Sequence, residues 1–318
     1  MEKEKDFYQL EKNVIEIKQK IDDLQESEDP SKEDKIARLR TKIEKEWAGI
    51  APELTPFHFV QIARHPQRPY TLDYIDALFE GFIELHGDRR AGDDPALIAG
   101  FGFYKGKTTA VIGHQKGRST RNRLMRNFGQ PSPEGYRKAL RIMKLAEKFG
   151  FPVVTLIDTP GAYPGIQAEE RGQAEAIANN LKEISLLRVP VVNIVIGEGG
   201  SGGALAVGVG DAILMLQYSF YSVISPEGCA AILWKDQSAV KQAAENLKFL
   251  AKDLKGFGII DEIIPEPPGG AHVDYKTMFK NLDKSLQKTL NRMKNKTVEE
   301  MLNERYEKFR HIGIYEEK

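Results

Sequence analysis

Five glycines in the seven residues Gly197-Glu-Gly-Gly-Ser-Gly-Gly203 constrain this chain more than any other feature. They follow a largely apolar run, residues 190–196 (PVVNIVI), that reads as a buried strand. They precede residues 204–209, which read as a short helix. Glycines at such a joint let the backbone turn sharply and let a ligand approach main-chain N–H groups. Those groups then sit at a helix start, which favours negative charge. The same pattern occurs just upstream. Residues 152–157 read as a strand, enter the turn Asp158-Thr-Pro-Gly-Ala-Tyr-Pro-Gly165, and are followed by a helix from about 168 to 187. Further strands fall at 212–216 and 221–224. Strands alternating with helices predict an α/β fold with a largely parallel sheet.

The flanks fill in the organisation. A helix is expected from Thr71, acting as its cap, to about His86, with Ile75, Leu78, Phe79 and Phe82 on one side. Runs 96–103 and 108–114 around Lys105-Gly106-Lys107 predict a β-hairpin. Pro133 suits the first turn of a helix over 133–148. Ser225-Pro226-Glu227 opens another, with Ser as cap and Glu near the positive helix end. Residues 1–50 differ. Phe7, Leu10, Val14, Ile17, Ile21 and Leu24 are spaced by three and four, Glu28-Asp29-Pro30-Ser31 breaks the pattern, and Ile36, Leu39, Ile43 and Trp47 resume it. This predicts a helical hairpin with one apolar seam. Three parts are expected: the hairpin at 1–50, an α/β domain at 51–272 and a polar helical segment at 273–318.

Composition excludes several classes. Lys+Arg and Asp+Glu both number 46, so bulk charge favours no polyanion, and no nucleic-acid partner is expected. The charged start, residues 1–10, lacks the apolar core of a signal peptide, and no run approaches a membrane span. The single cysteine, Cys229, excludes an internal disulfide and a cysteine-cluster zinc site. A cytoplasmic chain with no metal of its own is expected.

Four chemistries compete for the glycine run. Gly197, Gly199 and Gly202 match G-x-G-x-x-G, but the next strand begins too soon for a dinucleotide-binding helix, and 212–226 holds no ribose-binding acid. Gly203-Ala204 stand where a phosphate loop needs Lys and Ser/Thr. Gly199, Ser201 and Gly203 match the G-x-S-x-G elbow of a serine hydrolase. That nucleophile needs a histidine base, and none of His58, His65, His86, His114, His272 or His311 lies in a motif that marks it as one. The fourth reading, an oxyanion hole of backbone N–H groups without a nucleophile, needs only what is present.

Eight segments resemble the alpha subunits of bacterial acetyl-CoA carboxyltransferases: 64–74, 127–129, 133–140, 158–165, 169–173, 197–206, 221–230 and 265–272. They cover nearly the whole chain in order. The resemblance implies a crotonase/ClpP-like β-β-α superhelix carrying an N-terminal helical extension. It implies transfer of the carboxyl group from N-carboxybiotin, on a biotin carboxyl carrier protein, to acetyl-CoA, giving malonyl-CoA. The alpha subunit would supply the biotin side, and a zinc-bearing beta subunit the acetyl-CoA side, in an alpha2beta2 assembly served by biotin carboxylase.

Gly202 and Gly203 match the family's biotin oxyanion glycines. Loss of CO2 from carboxybiotin would leave a negative oxygen for their N–H groups, and that enolate can itself take the acetyl proton, so no protein base is needed. Lys116 and Arg118 are expected to hold a carboxylate, and 158–165, with Gly161, to shape the pocket wall. Met143-Lys144 lacks a biotin-acceptor sequence, so biotin must arrive on a partner. The alternatives are a serine hydrolase using Ser201 and a non-catalytic scaffold on the same fold.

Overall fold

The computed structural model describes residues 6–313, so Met1–Lys5 of the charged start lie outside the described residues. The chain begins with α1 (Phe7–Leu10), α2 (Lys12–Glu26) and α3 (Lys32–Ile50). As the spacing predicts, Phe7, Val14, Ile17, Ile21, Ile43 and Trp47 are buried along one seam. The seam also takes in Ile62 and Tyr218 of the body, so the hairpin packs against the rest of the chain. Trp47 Nε1 donates to the Tyr218 hydroxyl at 3.1 Å. Glu11, between α1 and α2, sits within 3.2 Å of His65 Nε2 and 2.9 Å of His272 Nε2.

Next come α4 (Pro56–Ala63), α5 (Thr71–Leu78), β1 (Glu80–Glu84), β2 (Leu97–Tyr104) and β3 (Lys107–His114). The expected helix from Thr71 to about His86 stops at Leu78. Phe79 turns extended, Gly81 takes φ +59°, and β1 pairs antiparallel with β2 through an irregular register. Edge pairing outweighs the helical spacing of Phe79 and Phe82. Thr71 is also not the cap. Its hydroxyl donates to the His114 carbonyl at 2.5 Å, while Asp73 holds the Tyr70 N–H. The β2–β3 hairpin closes as read, with Lys105 and Gly106 both at positive φ, the two-residue turn that suits strand twist.

The remainder is α6 (Thr120–Met125), α7 (Pro133–Phe149), β4 (Val153–Thr159), α8 (Ile166–Glu170), α9 (Gln173–Ser185), β5 (Val191–Gly200), α10 (Ser201–Leu205), β6 (Ala212–Leu216), β7 (Phe220–Ser222), α11 (Pro226–Leu233), α12 (Val240–Leu247), α13 (Ala251–Gly256), β8 (Glu262–Ile264), α14 (Tyr275–Met293) and α15 (Val298–Arg310). The single helix expected over 168–187 is two, parted at Gly172 with φ +82°. Ser225 caps α11 by accepting the Gly228 N–H at 3.1 Å, as the sequence predicts.

The sheet runs β1-β2-β3-β4-β5-β6-β8, parallel from β3 onward, with β7 on the far half of β5. Its central strands β4 and β5 are buried throughout and largely apolar because both faces are covered. In β5, Val191 and Val195 enter one core while Val192, Ile194 and Ile196 enter the other. In β4, Val153 and Ile157 part from Val154 and Leu156 in the same way. Each such fully buried side chain contributes about 1.5–3 kcal/mol. Arg68 ties the middle of β5 to the loop before α5: its Nε donates to the Ile196 carbonyl at 2.7 Å, and Glu266 takes its other two nitrogens at 2.8 and 2.6 Å.

Candidate active site

The glycine run is half strand. β5 continues through Gly200, four residues beyond the strand read from sequence, because Glu198–Gly200 pair with β7 and Gly199 with Thr159 of β4. The helix then starts at Ser201, so Gly202 and Gly203 occupy its first turn, where N–H groups have no intrahelical acceptor.

Close backbone contact explains the glycines. A Cβ at Gly203 would stand 2.4 Å from the Gly161 carbonyl carbon, and one at Gly200 would stand 2.2 Å from the Pro160 oxygen. The 158–165 and 197–203 turns are thus pressed together with no side chain between them. Gly202 differs: the nearest atom to a Cβ there is Ile177 Cδ1 at 3.5 Å, and the residue is half-exposed. Gly161 sits at φ +151°. Its N–H donates to Thr159 Oγ1 at 3.1 Å, and its carbonyl accepts from the same hydroxyl at 2.8 Å.

A chain of charges lies beneath the turn. Lys116 Nζ is 2.8 Å from Asp158 Oδ1 and 2.7 Å from Glu198 Oε1. Arg64 Nε is 2.7 Å from Glu198 Oε2, and Arg64 also reaches Glu227 of α11 at 2.7 Å. Asp158 Oδ1 accepts the Glu198 N–H at 3.0 Å. Burial disfavours the Lys116 ammonium, but the two carboxylates outweigh it and raise its pKa. Burial likewise works against ionised Glu198, yet Lys116 and Arg64 hold its pKa below the usual value. Asp158 goes up, because burial and the Glu198 charge oppose its ionisation.

Ser201 is exposed at φ +49°, a turn conformation that a nucleophile elbow would share. No hydrogen bond joins Ser201 to a histidine among the described residues, and His114 is poorly placed to act as a base. His114 is fully buried against the Gly203 and Leu156 backbone, and burial pushes its pKa down to about 3, although those backbone groups oppose the shift.

Comparison with known proteins decides among these readings. Residues 7–313 match the family described as acetyl co-enzyme A carboxylase carboxyltransferase-like. The acetyl-coenzyme A carboxylase carboxyl transferase subunit alpha of Geobacter metallireducens is 53% identical over 98% of this chain and 99% of its own. That of Nitrosomonas europaea is 52% identical over 96% of both. The chain belongs to the acetyl-CoA carboxylase carboxyltransferase alpha-subunit family. Solved structures share the fold. A Pseudomonas malonate decarboxylase hetero-tetramer in complex with coenzyme A superposes with a TM-score of 0.60 at 16% identity, over 74% of this chain and 91% of that one. The transcarboxylase 12S core superposes at 0.58 and 20% identity, over 72% of this chain and 42% of that one. The crotonase-like fold expected from the sequence is the one observed.

Within this carboxyltransferase alpha chain, the expected site residues separate. Gly161, Gly202 and Gly203 converge where the two turns meet. Lys116 lies beneath them, already engaged by two carboxylates of its own chain. Arg118 is exposed, 2.6 Å from Asp73 Oδ2 and 4.8 Å over the Tyr70 ring, and none of these partners belongs to the glycine turn. The sequence reading missed Glu198 and Arg64 as a pair. One signal was available: Glu198 is the only charged residue in the glycine run, and a carboxylate there must be paired if buried. Three buried residues, Glu11, His65 and His272, have the chemistry of metal ligands. However, His65 Nδ1 accepts the Gln67 N–H at 3.3 Å, which leaves the proton on Nε2, facing Glu11. The group is a hydrogen-bonded clamp on α1 and α2.

Proposed function

We propose that this chain forms the biotin-side half of a carboxyltransferase site. With a beta-type partner it transfers the carboxyl group of N-carboxybiotin, carried on a biotin carboxyl carrier protein and loaded by biotin carboxylase, to acetyl-CoA, giving malonyl-CoA. The observation that carries this reading is the glycine turn: two first-turn N–H groups, at Gly202 and Gly203, on a backbone locked against 160–162. Its open side at Gly202 fits a ligand that approaches the main chain closely. Biotin, when bound, supplies the carboxyl group and an oxygen on which negative charge develops. Gly202 and Gly203 donate to that oxygen. Gly161 walls the pocket, and Lys116, Asp158, Glu198 and Arg64 hold the turn in register. Arg118 would need to leave Asp73 to meet a substrate carboxylate.

The chain is half a site on this reading. With one cysteine it has no cysteine set for zinc, so the zinc expected of the family is assigned to the beta partner. Val223, Ile232 and Leu233, 77%, 67% and 68% exposed on and beside α11, are the apolar surface we assign to that partner. We assign the chain to an alpha2beta2 assembly in the cytoplasm, with 1–50 as an arm, 51–272 as the catalytic domain and 273–318 as a C-terminal segment whose described residues include α14 and α15. No helix among the described residues is long and apolar enough to cross a membrane. The experiment is an assay of malonyl-CoA decarboxylation with free biotin. The chain alone should be inactive, and addition of the beta chain should restore turnover. Turnover by the pure isolated chain would overturn the half-site reading.

A further inference from the structure

A second concave site lies at the other end of the sheet. It is a cleft of about 540 Å³, within the range of small-molecule sites. One wall is the start of three parallel strands, marked by Lys107, Pro152 and Pro190. The ten residues of β5 separate this end from the glycine turn. At about 3.3 Å per residue, that is roughly 30 Å, so the cleft is no part of the carboxyl-transfer centre. The other wall is the junction of α14 and α15, where half-buried Leu290 and Val298 lie over the buried side chains of Met293 and Met301.

The charges are one-sided. Lys105, Lys107, Arg188, Lys294 and Lys296 line the cleft, and no aspartate or glutamate does. The chain as a whole carries 46 residues of each sign, so five cations without an anion is not its ordinary surface. Lys105 is held by Asp283 at 2.8 Å and Lys296 by Glu304. The side chains of Lys107, Arg188 and Lys294 have no carboxylate partner among the described residues, although the Arg188 backbone N–H donates to Glu147 Oε1 at 2.9 Å. Lys294 has a local reason to be there, since it follows the C-terminal turn of α14, where a cation is favoured. Lys107 and Arg188 stand at strand starts and have none.

We propose that this cleft binds an organic anion that joins an apolar body to a phosphate-like head. The unpaired cations converge on a concave surface and raise the local concentration of anions. The leucine and valine wall gives an apolar body a place to leave water. A bare metal ion is a poor occupant, because the lining offers no anionic ligand.

The test uses the full chain and hexyl phosphate as probe, with binding read by calorimetry and by the melting temperature. Hexanol lacks the head and inorganic phosphate lacks the body. Hexyl phosphate should bind saturably and raise the melting temperature, at least tenfold more tightly than inorganic phosphate, while hexanol should give no shift. The triple variant Lys107→Gln/Arg188→Gln/Lys294→Gln should weaken hexyl phosphate at least tenfold. These side chains are exposed, so the unliganded variant should melt as the parent does. Absence of saturable binding to the parent, equal binding by the triple variant, or inorganic phosphate binding as tightly as hexyl phosphate would each overturn the proposal. No turnover is measured, so its failure leaves the carboxyltransferase reading untouched.

Discussion

Lys116 and Glu198, 82 residues apart in the chain, meet at 2.7 Å beneath the glycine turn. Among the described residues the lysine is the one cation in a salt bridge with Asp158, at 2.8 Å, so it holds two buried carboxylates from two turns at once. Removing it leaves buried Asp158 without a cation and Glu198 with Arg64 alone. Lys116→Met should cost about 3–5 kcal/mol of stability, the cost of unpairing a buried charge. Lys116→Arg should recover part of it. Urea unfolding of both variants checks this, and a loss under 1 kcal/mol for the methionine variant would mean the network is not holding the turns.

His272 makes stability fall in mild acid. Burial first, then the neighbouring His65, lowers its pKa from 6.5 to about 4, although the Glu11 hydrogen bond opposes this. A depressed histidine is neutral in the fold while the unfolded chain takes the proton. Its contribution is therefore complete above pH 6.5 and is lost as pH falls from there towards 4, in total on the order of 3 kcal/mol. His114, pushed to about 3, has the same sign. Asp94, raised to about 6 chiefly by burial, has the opposite sign: its contribution is lost as pH rises through 4 to 6. The clean readout is the difference between parent and His272→Gln, whose stability should fall less steeply between pH 6.5 and 4. Parallel curves would contradict the assignment.

Ser201→Ala should keep turnover within a few-fold in the assembled enzyme. The hydroxyl has no histidine base in His114, and the turn is read as acting through backbone N–H groups. A thousandfold loss of kcat in a folded complex would revive the serine-nucleophile reading.

The exposed apolar residues of α11 should matter for assembly and not for folding. Ile232→Asp with Leu233→Asp should weaken association with the beta chain by at least 2 kcal/mol, about thirtyfold, as for central interface residues. Sedimentation of the mixed chains checks this. An unchanged complex would move the interface elsewhere.

What the sequence made legible follows from the range of each interaction. The Lys105-Gly106 hairpin and the Ser225 cap are set by neighbours within a few residues, and both were readable. The extension of β5 through Gly200 was not, because β7 and Thr159 supply its pairing from outside the segment. The early end of α5 fails for the same reason: Phe79 and Phe82 keep helical spacing, and the β2 edge overrides it. The glycines of the turn were legible as a motif. Their individual duties were not, since only the approach of Gly161 distinguishes buried Gly203 from open Gly202. The ionic network joins residues 42 to 163 positions apart, beyond any periodicity.

That difference selects the decisive experiment. A side chain at Gly203 would collide with the Gly161 backbone, so Gly203→Val disturbs packing and chemistry together. Gly202 has room for a side chain, and as the second helical residue its N–H has no intrahelical acceptor to lose. Gly202→Pro deletes the N–H donor, and Gly202→Ala keeps it. Carboxyl transfer should be measured for both after co-expression with the beta chain, with each complex sized and melted. The alanine variant should stay within about tenfold of the parent. The proline variant should lose roughly 100- to 1000-fold in kcat, the effect of one missing oxyanion donor. A proline variant that turns over at the parental rate in a normally sized complex would contradict the assignment of this turn to the biotin oxyanion.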